Sequence, residues 1–151
     1  GDRSADFLYK CIYKAKMSNQ PTSESKDDGL KLYNAYITTA LKCVPPGDKP
    51  TASELGTCFK YFKQEINLLK NIKIIVALGK IAFDACIQFY KENYFLKNKK
   101  FAFAHAVKYH LPDNKILIGC YHPSPRNVNT KRINLNMMAR LLNNAKKTAA
   151  K

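Results

Sequence analysis

The densest group of chemistry-bearing side chains follows His122. Pro123 and Pro125 stiffen the chain there, and Ser124, Arg126, Asn127 and Thr130 supply donors suited to phosphate and base edges. An imidazole at the root of a rigid, donor-rich loop can donate to an oxygen that gains negative charge, or shuttle a proton. A lone histidine at a strand end is also a common structural residue, so the surroundings must decide between the readings. A second feature is Gly79, which ends the apolar run Ile72–Leu78. A single glycine there reads either as a tight strand-to-helix turn or as a phosphate cradle, and no Gly-x-Gly-x-x-Gly pattern supports the cradle.

Five cysteines are present, at 11, 43, 58, 86 and 120, without a Cys-x-x-Cys pair. An odd count argues against a disulfide scaffold. Cys11, Cys86 and Cys120 lie in apolar or helical patterns and read as small core residues. Cys43 and Cys58 instead flank the loop containing Pro45-Pro46-Gly47.

The elements that must position these groups follow from periodicity and punctuation. Residues 4–15 place Phe7, Leu8, Cys11 and Ile12 at helical spacing. Residues 18–29 are polar and read as a loop. Tyr33–Leu41, rich in β-branched and aromatic residues, predicts a strand. Thr51 and Glu54 have capping-box spacing ahead of a helix with Leu55, Cys58, Phe59, Phe62, Ile66 and Leu69 on one face. Ile72–Leu78 predicts a strand buried on both faces, and Lys80 to about Leu96 the helix after it. A further strand is expected within 104–111 and a well-marked one at 115–121. Residues 122–130 read as a loop, Leu135–Ala145 as a helix with Met137, Met138, Leu141 and Leu142 inward, and 146–151 as a flexible tail. Strand, glycine turn and helix form a unit of a parallel sheet. The expected fold class is α/β: a single three-layer α/β/α sandwich over residues 1–151 with a central, mostly parallel sheet.

The chain has 151 residues, with 26 Lys+Arg against 11 Asp+Glu, a formal net charge of +15. Hydrophobic residues make up 46%, too many for intrinsic disorder. No apolar run approaches the ~20 residues of a membrane span. Gly1-Asp2-Arg3-Ser4 does not begin a signal peptide. A soluble, cytoplasmic protein is expected. So large a positive charge on a small domain points to a polyanionic partner, nucleic acid above all. A Lys-rich composition produced by genome bias or salt adaptation is the plainer reading.

His122-Pro123-Ser124, followed by Asn127, Thr130 and Arg132, resembles the second motif of the family 5 (type B) uracil-DNA glycosylases. The resemblance extends along nearly the whole chain. It includes Gly1-Asp2-Arg3-Ser4, Asn19-Gln20-Pro21-Thr22-Ser23, Asp28-Gly29-Leu30, Tyr36-Ile37-Thr38, Lys42-Cys43-Val44-Pro45-Pro46-Gly47-Asp48-Lys49-Pro50-Thr51 and Ala77-Leu78-Gly79-Lys80-Ile81-Ala82-Phe83-Asp84, in family order. The family carries an earlier Gly- and Ala-rich segment ending in Thr-Gly-Asp, and this chain starts at the Gly-Asp. The expectation is of a domain lacking its N-terminal part. The family also usually has Gly after the motif threonine, where Lys131 stands here.

The resemblance implies flipping of a damaged nucleotide out of DNA and hydrolysis of the bond between uracil and deoxyribose, the opening step of base excision repair. It implies His122 as donor to the uracil carbonyl and Asp2 as the carboxylate that positions water and favours a cationic sugar. Asp2 also suits a helix N-cap. Ser124, Arg126, Asn127, Thr130, Lys131, Arg132 and Arg3 are implied DNA contacts. Thr39 falls where a related family reads the base with Asn, which implies looser discrimination and deaminated substrates beyond uracil. Families 4 and 5 bind a four-iron four-sulfur cluster through four cysteines. Cys43 and Cys58 match the second pair, and the first pair belongs to the segment this chain lacks. Two unligated thiols are the other reading. A monomer acting on DNA, without a membrane, is implied. The competing reading is a non-catalytic, basic DNA-binding module or a fragment requiring the missing segment. A nucleotide-binding enzyme built on Gly79 is a third.

Overall fold

The computed structural model describes residues 2–40, 49, 51–96 and 99–151. Helix α1 (Arg3–Lys14) starts where Asp2 Oδ1 accepts the Ala5 N–H at 2.7 Å. It ends at Ala15, followed by Lys16 in the left-handed region. Helix α2 (Ala52–Leu68) has the capping box expected from its sequence. Glu54 N–H donates to Thr51 Oγ1, and Glu54 Oε2 accepts the Thr51 N–H at 2.7 Å. Strand β1 (Ile74–Leu78) leads through Gly79 into α3 (Lys80–Asn93). Strands β2 (Lys108–His110) and β3 (Ile116–Cys120) precede the short helix α4 (Pro125–Asn129) and the long α5 (Leu135–Ala149).

The sheet order is β1-β3-β2. β1 and β3 run parallel, Ile74 opposite Ile116 through Leu78 opposite Cys120, and β2 joins β3 antiparallel. Side chains alternate across a strand, so the central strands feed two cores. Ile118 and Cys120 pack with Cys11 and Ile12 of α1 and Met138, Leu141 and Leu142 of α5. Ala77 and Leu117 pack with Phe62 of α2 and Phe83, Cys86 and Phe89 of α3. Helices thus cover both faces of a mixed α/β domain with a small, mostly parallel sheet.

Cys11, Cys86 and Cys120 are core residues, as their surroundings in sequence suggest. Burial pushes the Cys11 thiol up to about 11 and those of Cys86 and Cys120 up to about 12. Such thiols stay protonated and unreactive at neutral pH.

Three expectations differ from the fold. Residues 33–40 do not form a strand. Asn34 adopts φ 53°, which interrupts an extended run, and Tyr33, Tyr36 and Ile37 are exposed. Their β-rich composition suits a pleated surface, but a strand needs a ladder partner, and among the described residues this segment pairs with no strand of the sheet. Residues 122–130 are more than a loop, because α4 forms with Pro125 in its first turn and Ser124 as cap. A proline there has no helical N–H to lose. The segment after Ala145, expected as a flexible tail, stays helical to Ala149. Lys146 Nζ donates to Ala15 O at 2.7 Å and Lys73 Nζ to Ala149 O at 3.0 Å, tying this end to α1 and to the approach to β1.

Candidate active site

Parallel pairing of β1 and β3 brings the chain out of the sheet twice at the same end, the usual ligand side of such sheets. The Gly79 N–H donates to Cys120 O at 2.7 Å, so the two exits are bonded to each other. Gly79 has φ 94°, and a Cβ placed on it would lie 3.1 Å from the His122 Cβ and 3.5 Å from its Cδ2. Conformation and close approach both call for glycine. Gly79 is therefore the tight turn into α3 and, at the same time, the seat of His122.

His122 is exposed, yet the atoms packed around its ring lower its pKa below the ordinary imidazole value. The Asp2 carboxylate opposes that shift. At neutral pH the ring is neutral and carries one N–H donor. The N-cap of α1 thus lies within electrostatic reach of the histidine that follows β3. Capping and proximity to His122 are both true of Asp2. Gly79 contributes no side-chain cap to α3. The partial positive charge of that helix end lies beside His122 and favours an anion there.

The chain after His122 is held from within. Asn127 Nδ2 donates to His122 O at 2.9 Å, and the Asn127 N–H donates to Ser124 Oγ at 3.2 Å. Asn127 O accepts the N–H groups of Arg132 at 2.9 Å and Ile133 at 3.2 Å. Thr130 Oγ1 donates to Arg126 O at 2.8 Å. Asn127 therefore ties the loop together. Arg126, Thr130, Lys131 and Arg132 are exposed on its outer side, and Arg3 is exposed beside Asp2. Lys131 stands at φ 58°, a conformation glycine adopts without cost. The Arg132 guanidinium carbon is 4.5 Å from the centre of the Tyr121 ring.

Thr39 is exposed and is not among the residues brought against His122 by the described contacts. Its neighbourhood is fixed by Glu65 of α2, which accepts Tyr36 Oη at 2.8 Å and Thr38 Oγ1 at 2.5 Å. Cys43 lies outside the described residues, and Cys58 is buried in α2. Among the described residues no group of three or more His, Cys, Asp or Glu side chains could hold a metal ion.

One contributor escaped the sequence reading: His105, whose Nδ1 accepts the Tyr121 N–H at 3.2 Å while its ring stacks on Tyr121 with centroids 5.0 Å apart. Nothing in Ala104-His105-Ala106 signals this, because the partner is a main-chain amide distant in sequence. The whole arrangement offers a neutral N–H donor, a nearby carboxylate, a helix end favouring anions and an exposed basic loop. It can stabilise negative charge developing on a bound group next to a polyanion.

The chain is 37% identical over 149 residues to the type-5 uracil-DNA glycosylase of Thermus thermophilus, covering 99% of this chain and 66% of that protein. It is 35% identical over 145 residues to the type-5 uracil-DNA glycosylase of Pyrobaculum aerophilum, covering 96% and 61%. The type-5 uracil-DNA glycosylase of Mycobacterium bovis is 36% identical over 150 residues, covering 99% and 55%. The chain thus spans between about half and two thirds of the length of these relatives. Residues 1–146 match the family described as the uracil DNA glycosylase superfamily, and the chain belongs to that superfamily.

Proposed function

We propose that this protein removes uracil from DNA by hydrolysing the bond between the base and deoxyribose, initiating base excision repair. The observation that carries the reading is the seating of a neutral His122 on Gly79 within the field of Asp2. Uracil departs as an anion from a sugar that becomes cationic. His122 donates to the uracil carbonyl oxygen as charge gathers on it, and a donor of this kind is worth about 3–4 kcal/mol in the transition state. The α3 N-terminus adds to that stabilisation. The Asp2 carboxylate offsets the positive charge of the sugar and can orient the attacking water.

A base in duplex DNA must first leave the stack, at a cost of a few kcal/mol. Phosphate contacts hold the DNA in register while this happens. Arg3, Arg126, Lys131 and Arg132 are exposed cations for that purpose, and Ser124 and Thr130 lie on the same loop. The net charge of +15 supports a DNA partner. Thr39 carries a short hydroxyl in place of the amide of a related family, and on this reading it relaxes base discrimination to admit deaminated bases besides uracil. Among the described residues no helix is long and apolar enough to cross a membrane. A monomer working on DNA inside the cell is the setting this reading implies.

The four-iron four-sulfur cluster implied by the resemblance to families 4 and 5 would need thiolate ligands. Cys58 fits as one, being buried close to the capped start of α2, and Cys43 would be the second. Bound there, the cluster would pin the loop before α2 to that helix. It would supply no step of the hydrolysis. Iron and sulfide content of the protein and of Cys58→Ser tests the assignment.

The function is tested by incubating the chain with a uracil-containing duplex and measuring abasic product. Product that depends on His122 supports the reading. Salt-sensitive DNA binding without product, at any protein concentration, contradicts it and leaves a DNA-binding module.

A further inference from the structure

We infer that His105 is a positioning residue for the His122 site, holding the main-chain amide of Tyr121 and thereby the backbone from which His122 projects; this rests on the glycosylase reading above. The β3 ladder ends at Cys120. The next N–H, that of Tyr121, goes instead to His105 Nδ1 at 3.2 Å. On the other side, the carbonyl of His122 is held by Asn127 Nδ2 at 2.9 Å. One side-chain bond on each side of His122 therefore fixes the chain, and neither comes from the sheet. Misplacement of a reacting group by about 1 Å costs on the order of 10²-fold in rate, so such pins matter to the chemistry.

His105 is itself held in place by a strained turn. Ala106, next to it, has φ 64°, an unfavourable conformation for a residue with a Cβ. The Ala106 N–H donates to Gly119 O at 2.8 Å, the Gly119 N–H to Val107 O at 2.9 Å, and the Val107 N–H to Ala104 O at 3.3 Å. A Cβ on Gly119 would meet Ala104 O at 2.5 Å, so only bare backbone lets the turn lie this close to β3. Strain of this kind persists where the surroundings over-determine it, and it gathers at functional sites.

The rings complete the connection. His105 stacks on Tyr121 with an interplanar angle of 27°, and the Arg132 guanidinium also lies on the Tyr121 ring. One stack thus joins the strained turn, the end of β3 and the exposed basic loop. Burial lowers the His105 pKa, which keeps the ring neutral and its Nδ1 lone pair available to the amide.

The test compares His105→Phe, which keeps a stacking ring and removes the acceptor, with His105→Asn, whose Oδ1 can replace Nδ1. Single-turnover uracil release by the Phe variant is expected to fall by on the order of 10²-fold, with DNA Kd within about twofold of the parent. The Asn variant is expected to recover most of the rate. The Tyr121 amide proton resonance should move upfield in the Phe variant and stay near its original position in the Asn variant. An unchanged rate with an unchanged Tyr121 amide in His105→Phe overturns the inference, as does equal loss of rate in both variants. If the parent chain releases no uracil, the glycosylase reading fails separately. The ring resonances of His122 then decide: displacement in the Phe variant alone supports the positioning role, and no displacement overturns it.

Discussion

Gly79 and His122 meet so closely that a Cβ on Gly79 would stand 3.1 Å from that of His122, tighter than an ordinary van der Waals contact. The contact joins the ends of two parallel strands, and it makes the backbone after one the support for the His122 side chain after the other. Gly79→Ala is therefore expected to act twice. With φ 94° and ψ 167°, Gly79 occupies a backbone region essentially reserved for glycine, which costs an alanine about 1–3 kcal/mol, read as a lower denaturant midpoint with unchanged slope. The contact also displaces His122, so single-turnover uracil release should fall further than the lost stability explains. A normal rate in a destabilised protein would separate the turn from the site.

Asp2 has two roles that different substitutions separate. Asn caps helices about as well as Asp, so Asp2→Asn should leave stability within about 0.5 kcal/mol. Removing the carboxylate charge that raises the His122 pKa should lower that pKa further. Asp2→Ala should do the same and also cost about 1 kcal/mol through loss of the Ala5 bond. Titration of the imidazole resonances by NMR measures the shift, and an unmoved His122 in Asp2→Asn would show that the carboxylate does not act on it.

Acid should weaken the fold through two histidines. Desolvation lowers the pKa of both His105 and His122. In the unfolded chain they take up protons near the ordinary value of about 6.5, and in the fold they resist until the pH is lower. Below that value the unfolded state binds more protons, so stability falls as pH drops through the depressed folded pKa values. Above it these groups add no slope. Urea unfolding across this range should show the dependence, and His105→Asn should remove part of it. Identical slopes in parent and variant would exclude His105 as a contributor.

The reach of sequence reasoning followed the range of the interactions. The Thr51–Glu54 capping box and the Gly79 turn are written in neighbouring residues, and both are present. The core thiols were legible from the apolar runs around them. Residues 33–40 lack the strand that their composition suggests, because a strand needs a partner that local composition does not contain. Helix α4 was hidden behind two prolines, although Ser124 followed by Pro125 is a helix-start signal in its own right. The site itself was half legible. His122 and its loop stand out, but the approach of Asp2, the grip of Glu65 on Tyr36 and Thr38, and the bond from Tyr121 to His105 arise from tertiary packing. Cys43 lies outside the described residues, so the reading of Cys43 and Cys58 as cluster ligands stays a proposal.

DNA binding should depend on salt in proportion to the phosphates engaged. Arg126→Ala and Lys131→Ala should each flatten the slope of log K against log salt by about 1, weakening uracil-containing and ordinary duplexes alike. Fluorescence anisotropy across a salt series measures this. A loss confined to the uracil duplex would instead place the side chain at the flipped base.

His122 is proposed to act on the transition state, and single-turnover uracil release and duplex affinity of the parent chain and of His122→Ala test this. Product is expected from the parent, with a rate lowered by about 10²–10³-fold in the variant and DNA affinity within about twofold. Equal losses of rate and affinity, or a variant as fast as its parent, would contradict it.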